Sequence, residues 1–194
     1  MKRILEQKDG MFFENVTRII IIYEHWQPLY DEMLADNPDI IFSREIPSAE
    51  QLQEWVEGHK HSLLCVDDKQ LELGNSPQGA NIFMKLSHHL KISCFFLLQG
   101  ATMKGRFSSD VVRNSHYTIL LKSGREAHLV RSIGLQMNDY KTLSESYKMA
   151  TAAGQYSYIC INNHPKASPL ERYTTDILPS DKVCTIFAGK NQRA

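Results

Sequence analysis

Short and nearly continuous apolar runs recur along this chain. The first, Thr17–Tyr23, is β-branched and almost wholly apolar. Such a run is typical of a parallel-sheet strand that is covered on both faces. The later runs predict further strands at Ile40–Phe42, His61–Val66, Ile92–Leu98, His116–Leu121 and Tyr156–Ile161.

Helical patterns lie between these runs. Ser48 and Gln51 form a capping-box pattern that opens a helix, and Gly58 ends it. Apolar spacing predicts further helices at Ala80–Leu90, Glu126–Met137 and Thr142–Ala152. Strands that alternate with helices predict an α/β fold with a doubly wound, mostly parallel sheet. Ligands bind such sheets at the carboxyl ends of the strands, so the residues that follow each strand are the ones to examine.

Length and composition predict one domain over residues 1–194, with a flexible tail at 188–194. The hydrophobic fraction of 42% is ordinary for a globular protein. No apolar run approaches the ~20 residues that span a bilayer. The four cysteines are widely spaced, which favours a reducing compartment. We therefore expect an intracellular protein, located in the nucleus if it serves a DNA element of a eukaryotic host.

The formal net charge of zero hides an uneven distribution. Residues 1–50 carry 5 basic and 10 acidic side chains, whereas residues 101–194 carry 13 basic and 7 acidic ones. A basic half is compatible with an anionic partner such as DNA, and equally with a solvated basic surface that has no partner.

Two adjacent carboxylates, Asp67 and Asp68, follow the strand His61–Val66. P-loop NTPases place acidic residues after an apolar strand in this way, one to hold Mg²⁺ and one to polarise the attacking water. The plain alternative is that Asp67 caps the turn that follows the strand. The sequence leaves both interpretations open.

Other polar residues have weaker signals. Gln99 ends a strand, where an amide can hydrogen-bond a phosphate or the lytic water, and arginines of the basic half can act as fingers on a neighbouring subunit. Each is equally compatible with a surface position. The histidines lack the spacing of a zinc site, so we expect structural or surface roles for them.

A phosphate-binding loop is not recognisable in this sequence. The G-x-x-x-x-G spacing occurs at Gly74–Gly79 and at Gly100–Gly105, but neither is followed by the Lys-Ser/Thr pair that reaches phosphates and Mg²⁺. We interpret both as coincidences of spacing.

The order of these motifs resembles the genome-packaging ATPases of large and midsize DNA viruses, in the FtsK–HerA group of P-loop motors. The versions in Polinton/Maverick-type elements and adinto-like viruses are the most similar. The resemblance covers roughly residues 12–187 and rests on the strings TRIIIIYEHWQPLYDEM, IIFSREIPS, HSLLCVDD, KLSHHLKISCFFLLQG and RNSHYTILLKSGRE.

This resemblance implies a RecA-like P-loop NTPase core that uses ATP and Mg²⁺. Asp67 corresponds to the Mg²⁺-coordinating Walker B residue and Asp68 to the catalytic carboxylate. Gln99 corresponds to the polar sensor, which also contacts the nucleotide, and Arg125 or Arg113 to the finger acting in trans. Implied partners are double-stranded DNA, other subunits of a ring, and a capsid or portal protein, with no membrane.

The family also has a Walker A loop and a strand that precedes it, and neither is matched here. Residues 1–9 resemble the tail of the helix that follows that loop. We therefore expect a core without its first strand and phosphate loop. Because the resemblance places that strand beside the Walker B strand, we expect unpaired strand edges there.

The expected function is thus a fragment or remnant of a double-stranded-DNA packaging ATPase that does not hydrolyse ATP on its own. A non-enzymatic, ATPase-derived protein that binds DNA or assembles with intact relatives is the alternative. An unrelated α/β enzyme is a third interpretation.

Overall fold

The structure is a computed structural model that describes residues 1–98, 104–124 and 127–189. The chain divides into two compact units, Met1–Asn114 and Ser115–Ala194. The first unit carries 12 basic and 16 acidic side chains, and the second carries 10 and 6. The uneven charge of the sequence therefore follows the division into units, with a net of −4 in the first and +4 in the second.

A parallel sheet of four strands forms the centre of the first unit. Its strand order is β2-β1-β3-β4, and all three pairings are parallel. This confirms the predicted α/β fold with a mostly parallel sheet. The strands are β1 (Arg18–Tyr23), β2 (Ile41–Ser43), β3 (Ser62–Asp67) and β4 (Ile92–Leu97).

The two central strands, β1 and β3, are buried on both faces. Their side chains alternate between two apolar clusters. Ile21 and Cys65 belong to the cluster on one face, and Ile22 and Val66 to the cluster on the other. Burial on both sides explains why these strands are continuous apolar runs in the sequence.

Helices cover both faces of this sheet. Residues of α1 and α3 pack into one cluster, and residues of α4 and the helical segment 77–89 pack into the other. None of the helices within the described residues has the length and apolar character needed to cross a bilayer. The helices are α1 (Lys2–Glu6), α2 (Lys8–Met11), α3 (Pro28–Asp36), α4 (Ala49–Val56), α5 (Gln70–Asn75), α6 (Pro77–Asn81), a π-helical turn (Ile82–Leu86), α7 (Ser87–His89) and α8 (Ser108–Arg113).

Two helices test the sequence interpretation directly. Helix α4 begins with the predicted capping box, because Ser48 accepts a hydrogen bond from the Gln51 amide and the Gln51 side chain accepts one from the Ser48 amide. The chain leaves it through Gly58, whose φ is +78°. Helix α3 was not predicted, since the stretch after β1 has a polar character.

The expected unpaired edge beside the strand of Asp67 is wrong. Strand β3 pairs with β1 over six residues on one side and with β4 over six residues on the other. Within the described residues, the outer strands of this sheet are β2 and β4.

The second unit contains an antiparallel sheet of order β5-β6-β7-β8. The sequence interpretation assigned its first two strands to parallel βαβ units, so their antiparallel pairing corrects that detail. Leu120, Leu143, Ile159 and Tyr173 are core residues of this unit. Its elements are β5 (Tyr117–Leu121), α9 (Ala127–Gln136), α10 (Tyr140–Ala150), β6 (Tyr158–Asn162), a 3₁₀ turn (Pro169–Glu171), β7 (Tyr173–Thr175), a 3₁₀ turn (Pro179–Asp181) and β8 (Thr185–Ile186).

Truncation of Leu64 tests the role of the β1–β3 core. Leu64 has 0% exposure, so Leu64→Ala should lower the free energy of unfolding by about 3 kcal/mol through lost apolar contact and a cavity. Leu71→Ala is the matched control, because Leu71 is 63% exposed and should cost less than about 0.5 kcal/mol. Urea unfolding followed by tryptophan fluorescence reports this unit, since both tryptophans, Trp26 and Trp55, lie in it. Equal losses in the two variants would contradict the described packing.

Candidate functional site

The two predicted carboxylates lie at the carboxyl edge of the parallel sheet. Asp67 is the last residue of β3, paired in register with Tyr23 at the end of β1 and with Leu97 at the end of β4. Asp67 therefore stands at the end of the inner strand, between the ends of its two neighbours. Ligands of open parallel α/β sheets bind at this edge, as the sequence interpretation expected.

Asp68 turns the chain out of β3. Its φ of +60° is in the left-handed region, which only a few residue types adopt readily and which aspartate tolerates better than most. Asp67 keeps its strand conformation, so the two neighbouring aspartates differ in backbone conformation. Unusual backbone angles of this kind are frequent at functional sites.

Asp67 is held by a tyrosine that the sequence interpretation missed. The Tyr30 hydroxyl donates a hydrogen bond to Asp67 Oδ2 over 2.6 Å. Tyr30 lies in α3, and its side chain is fully buried. A signal for this helix was present, because Pro28 suits a first helical position and the apolar Leu29 and Met33 are four residues apart.

Lys69, the residue after the two aspartates, has a largely buried side chain. The Lys69 ammonium is 2.6 Å from Glu24 Oε2 and 2.6 Å from Glu72 Oε2, and its side chain is only 10% exposed. Burial alone would lower the pKa of Lys69, but hydrogen bonds to both glutamates outweigh it and the pKa is raised. The same hydrogen bond lowers the pKa of Glu24. Lys69 thus remains charged and ties the loop after β1 to helix α5.

The residues present fit a hard divalent cation. Within the described residues, Oδ1 of Asp67 and both Asp68 oxygens have no hydrogen-bond partner, and Gln70 Oε1 is a buried acceptor without a donor. Mg²⁺ is commonly bound by one or two carboxylates, with water and phosphate completing the octahedron. No group of three or more His, Cys, Asp or Glu side chains could hold a metal in the described part of the chain. A cation here would therefore depend on water or a ligand for its remaining positions.

The described residues do not fit the phosphates of a nucleotide. Gly74 lies in α5 and Gly79 in α6, and both are buried. A Cβ at Gly79 would come within 2.5 Å of Leu73 Cδ1, so this glycine allows close packing. The spacing Gly74–Gly79 is thus part of a packed helical pair, in agreement with its interpretation as a coincidence.

Gly105 has a comparable packing role. Its φ is +137°, and a Cβ there would lie 2.3 Å from the Gly74 carbonyl oxygen. The Phe107 amide donates to that same oxygen over 2.8 Å. The segment that begins at residue 104 is therefore fastened, backbone to backbone, to the helix that follows the two aspartates.

The structure brings only some of the predicted site residues together. Gln99 and Arg125 lie outside the described residues, and so does part of the spacing Gly100–Gly105. Arg113 is the last residue of α8 and is exposed, without a described contact to Asp67 or Asp68. The pairing of the two aspartates at one sheet edge is the part of the predicted site that the structure describes.

Histidines near the opposite edge of the sheet make structural contacts. His61 bridges the Glu14 carbonyl oxygen at 3.0 Å and Ser93 Oγ at 2.9 Å. His59 accepts from the Arg18 guanidinium at 3.1 Å. A groove of about 340 Å³ lies beside them, and its lining includes His59, Lys60, His89 and Lys91. This groove precedes β3 and β4, so it is separate from the aspartate edge.

Comparisons with known proteins identify the fold. No family model matches the chain, and no curated protein matches it. A solved structure does match: the genome packaging NTPase B204 from Sulfolobus turreted icosahedral virus 2, in complex with ATP-γS. The TM-score is 0.50 at 12% identity, over 84% of this chain and 83% of that chain. The chain has a packaging-NTPase-like fold. This fold is α/β, with a mostly parallel sheet consistent with a RecA-like core.

Replacement of Lys69 tests the ion-pair network at this edge. Lys69→Met keeps the aliphatic stem and should destabilise the protein at pH 7, by less than Leu64→Ala does. Because the pKa of Glu24 is lowered in the folded state, its ion pair with Lys69 stabilises the folded protein above about pH 4.5. This stabilisation is lost as the pH falls further. The difference in unfolding free energy between wild type and Lys69→Met should therefore become smaller as the pH is lowered from 6 to 3.

Urea midpoints across this pH range measure the effect. Lys85→Met is the control, since Lys85 is exposed and has no ion pair among the described residues. A difference that grows on acidification would contradict the assignment.

Proposed function

We propose that this chain provides the cation side of the nucleotide site of a DNA-packaging ATPase. The observation that carries the proposal is the pair Asp67 and Asp68 at the carboxyl end of the inner strand β3. The sequence resemblance supports the FtsK–HerA group, in versions like those of Polinton/Maverick-type elements. The fold similarity to a packaging NTPase solved with an ATP analogue supports the broader class.

The two carboxylates have different roles in this proposal. Asp67, whose Oδ2 accepts a hydrogen bond from Tyr30, would hold Mg²⁺ or one of its water ligands through Oδ1. Asp68, beyond the end of the strand, would accept a hydrogen bond from the attacking water. Mg²⁺, when bound with ATP, supplies neutralisation of phosphate charge. The Lys69 ammonium is engaged in ion pairs with Glu24 and Glu72, so it is not the counter-ion of the two aspartates.

The proposal assigns no ATP hydrolysis to this chain alone. Phosphates of a nucleotide need a cradle of backbone N–H groups and a lysine, and the described residues offer none beside Asp67. In an assembled motor, Gln99 would act as the polar sensor and Arg113 or Arg125 as the finger on a neighbouring subunit. Double-stranded DNA, a homo-oligomeric ring and a capsid or portal protein are the partners of this proposed motor.

Cation binding by Asp67 tests the proposal. Mn²⁺ can replace Mg²⁺, and electron paramagnetic resonance measures the concentration of free Mn²⁺, from which the bound fraction follows. We expect wild type to bind Mn²⁺ and Asp67→Asn to weaken this binding more than tenfold, because a neutral amide replaces the ligating carboxylate. Asp36→Asn is the control, since Asp36 is an exposed aspartate at the end of α3 and should leave the affinity unchanged.

Nucleotide binding provides the second measurement of the same experiment. With Mg²⁺ present, ATP-γS should bind the chain only weakly. Micromolar ATP-γS binding that Asp67→Asn abolishes would show a competent phosphate site and would overturn the assignment of no independent hydrolysis. Mn²⁺ binding that is insensitive to Asp67→Asn would overturn the cation site itself.

A second candidate function is DNA binding without nucleotide hydrolysis. It is favoured by the packed geometry of Gly74–Gly79 and by the net charge of +4 in the second unit. Lys141 and Lys148 are exposed on α10, two turns apart, and can both contact phosphates.

Salt dependence tests this second function. The affinity for a random-sequence DNA duplex should fall steeply as salt rises, because each phosphate contact releases a counterion. The double variant Lys141→Glu/Lys148→Glu should weaken DNA binding several-fold. It should also reduce the slope of log affinity against log salt concentration. The double variant Lys60→Glu/Lys85→Glu, at two exposed lysines of the other unit, serves as the charge-matched control. Affinity that is independent of salt would exclude phosphate contacts by the basic unit.

A further inference from the structure

Tyr30 and Asp67 form a buried hydrogen bond at the proposed cation site. Tyr30 has 0% exposure, and its hydroxyl lies 2.6 Å from Asp67 Oδ2. Hydrogen bonds of this length between a hydroxyl and a carboxylate are charge-assisted and among the stronger ones in proteins. One of the two carboxylate oxygens is therefore engaged before any ligand arrives.

The Tyr30 ring is itself held in place by other aromatic rings. Its centroid lies 5.6 Å from that of Tyr23, 5.5 Å from Trp26 and 5.2 Å from Phe42. The Trp26 indole N–H donates to Asp31 Oδ1 over 3.1 Å, which ties the loop after β1 to α3. Rings packed on several sides leave the hydroxyl with little freedom, so its direction toward Asp67 is fixed by the fold.

We propose that Tyr30 is a positioning residue that engages Oδ2 of Asp67 and so orients Oδ1 for a divalent cation. The proposal rests on the proposed function of Asp67. The Tyr30 hydrogen bond takes one lone pair of Oδ2, so coordination through Oδ1 is favoured. Outer-shell partners of this kind commonly change metal affinity tenfold or more when they are removed.

The second unit contains a matched pair in a different place. Tyr173 is 1% exposed, and its hydroxyl donates to Asp139 Oδ2 over 3.0 Å. Asp139 directly precedes α10 and Tyr173 is the first residue of β7, so this pair belongs to the second unit and not to the sheet edge of Asp67. Tyr173→Phe thus removes the same buried tyrosine–aspartate bond as Tyr30→Phe, without touching the proposed cation site.

Mn²⁺ binding to the full chain tests the proposal with the variants Tyr30→Phe, Tyr173→Phe and Asp67→Asn. Both phenylalanine variants should lower the urea midpoint. Only Tyr30→Phe should weaken Mn²⁺ binding, by about tenfold, while Tyr173→Phe should stay within twofold of wild type. Unchanged Mn²⁺ affinity in Tyr30→Phe, with binding lost in Asp67→Asn, would overturn the positioning role and leave the proposed function intact. Binding that Asp67→Asn does not affect would overturn both.

A measurement on the unsubstituted site covers the case in which Tyr30→Phe does not fold. The eight tyrosines can be labelled as 3-fluorotyrosine and observed by fluorine NMR. The Tyr30 resonance is the one that is absent in Tyr30→Phe or, where that variant does not fold, the one that Asp67→Asn displaces most. Substoichiometric Mn²⁺ should broaden it, together with that of the neighbouring Tyr23, before the resonances of the second unit. A Tyr30 resonance that remains sharp in saturating Mn²⁺ would overturn the proposal.

Discussion

Burial of β1 and β3 on both faces is the constraint on which the first unit depends. Two parallel strands without a solvent face need a helical layer on each side, and the apolar clusters around Ile21 and Ile22 are those two layers. The alternation of side chains then determines the direction of Asp67, because it follows Leu63 and Cys65 on the face that α3 covers. The hydrogen bond from Tyr30 is thus a result of strand register and helix placement together.

The sequence predicted those features that one short segment specifies by itself. The run from Ile19 to Ile22 is readable because both of its faces are buried, and the capping box of Ser48 depends on residues only three positions apart. Tyr30 could not be assigned to the site, because its contact with Asp67 joins positions 37 residues apart. The antiparallel pairing of β5 with β6 was missed for a similar reason, since apolar runs alone do not reveal strand direction.

At the candidate site, the described residues provide carboxylate ligands for a cation but no backbone cradle for phosphates. Carboxylate oxygens at the end of β3 suit a hydrated divalent ion, whereas the glycines at 74 and 79 serve the contact between two short helices. This division explains why a packaging-NTPase-like fold and the lack of a phosphate cradle among the described residues are compatible. The fold positions the carboxylates through its sheet, and phosphate binding requires separate, locally encoded backbone geometry.

The contact between Gly74 and Gly105 joins two segments of the first unit directly through their backbones. Side chains at an interface can adjust their rotamers and absorb a small displacement, but two glycines that meet through their backbones have nothing to adjust. A shift of α5, which begins two residues after Asp68, would therefore be passed on directly to the chain at residues 104–107. We therefore expect the turn at the aspartates and residues 104–107 to move together.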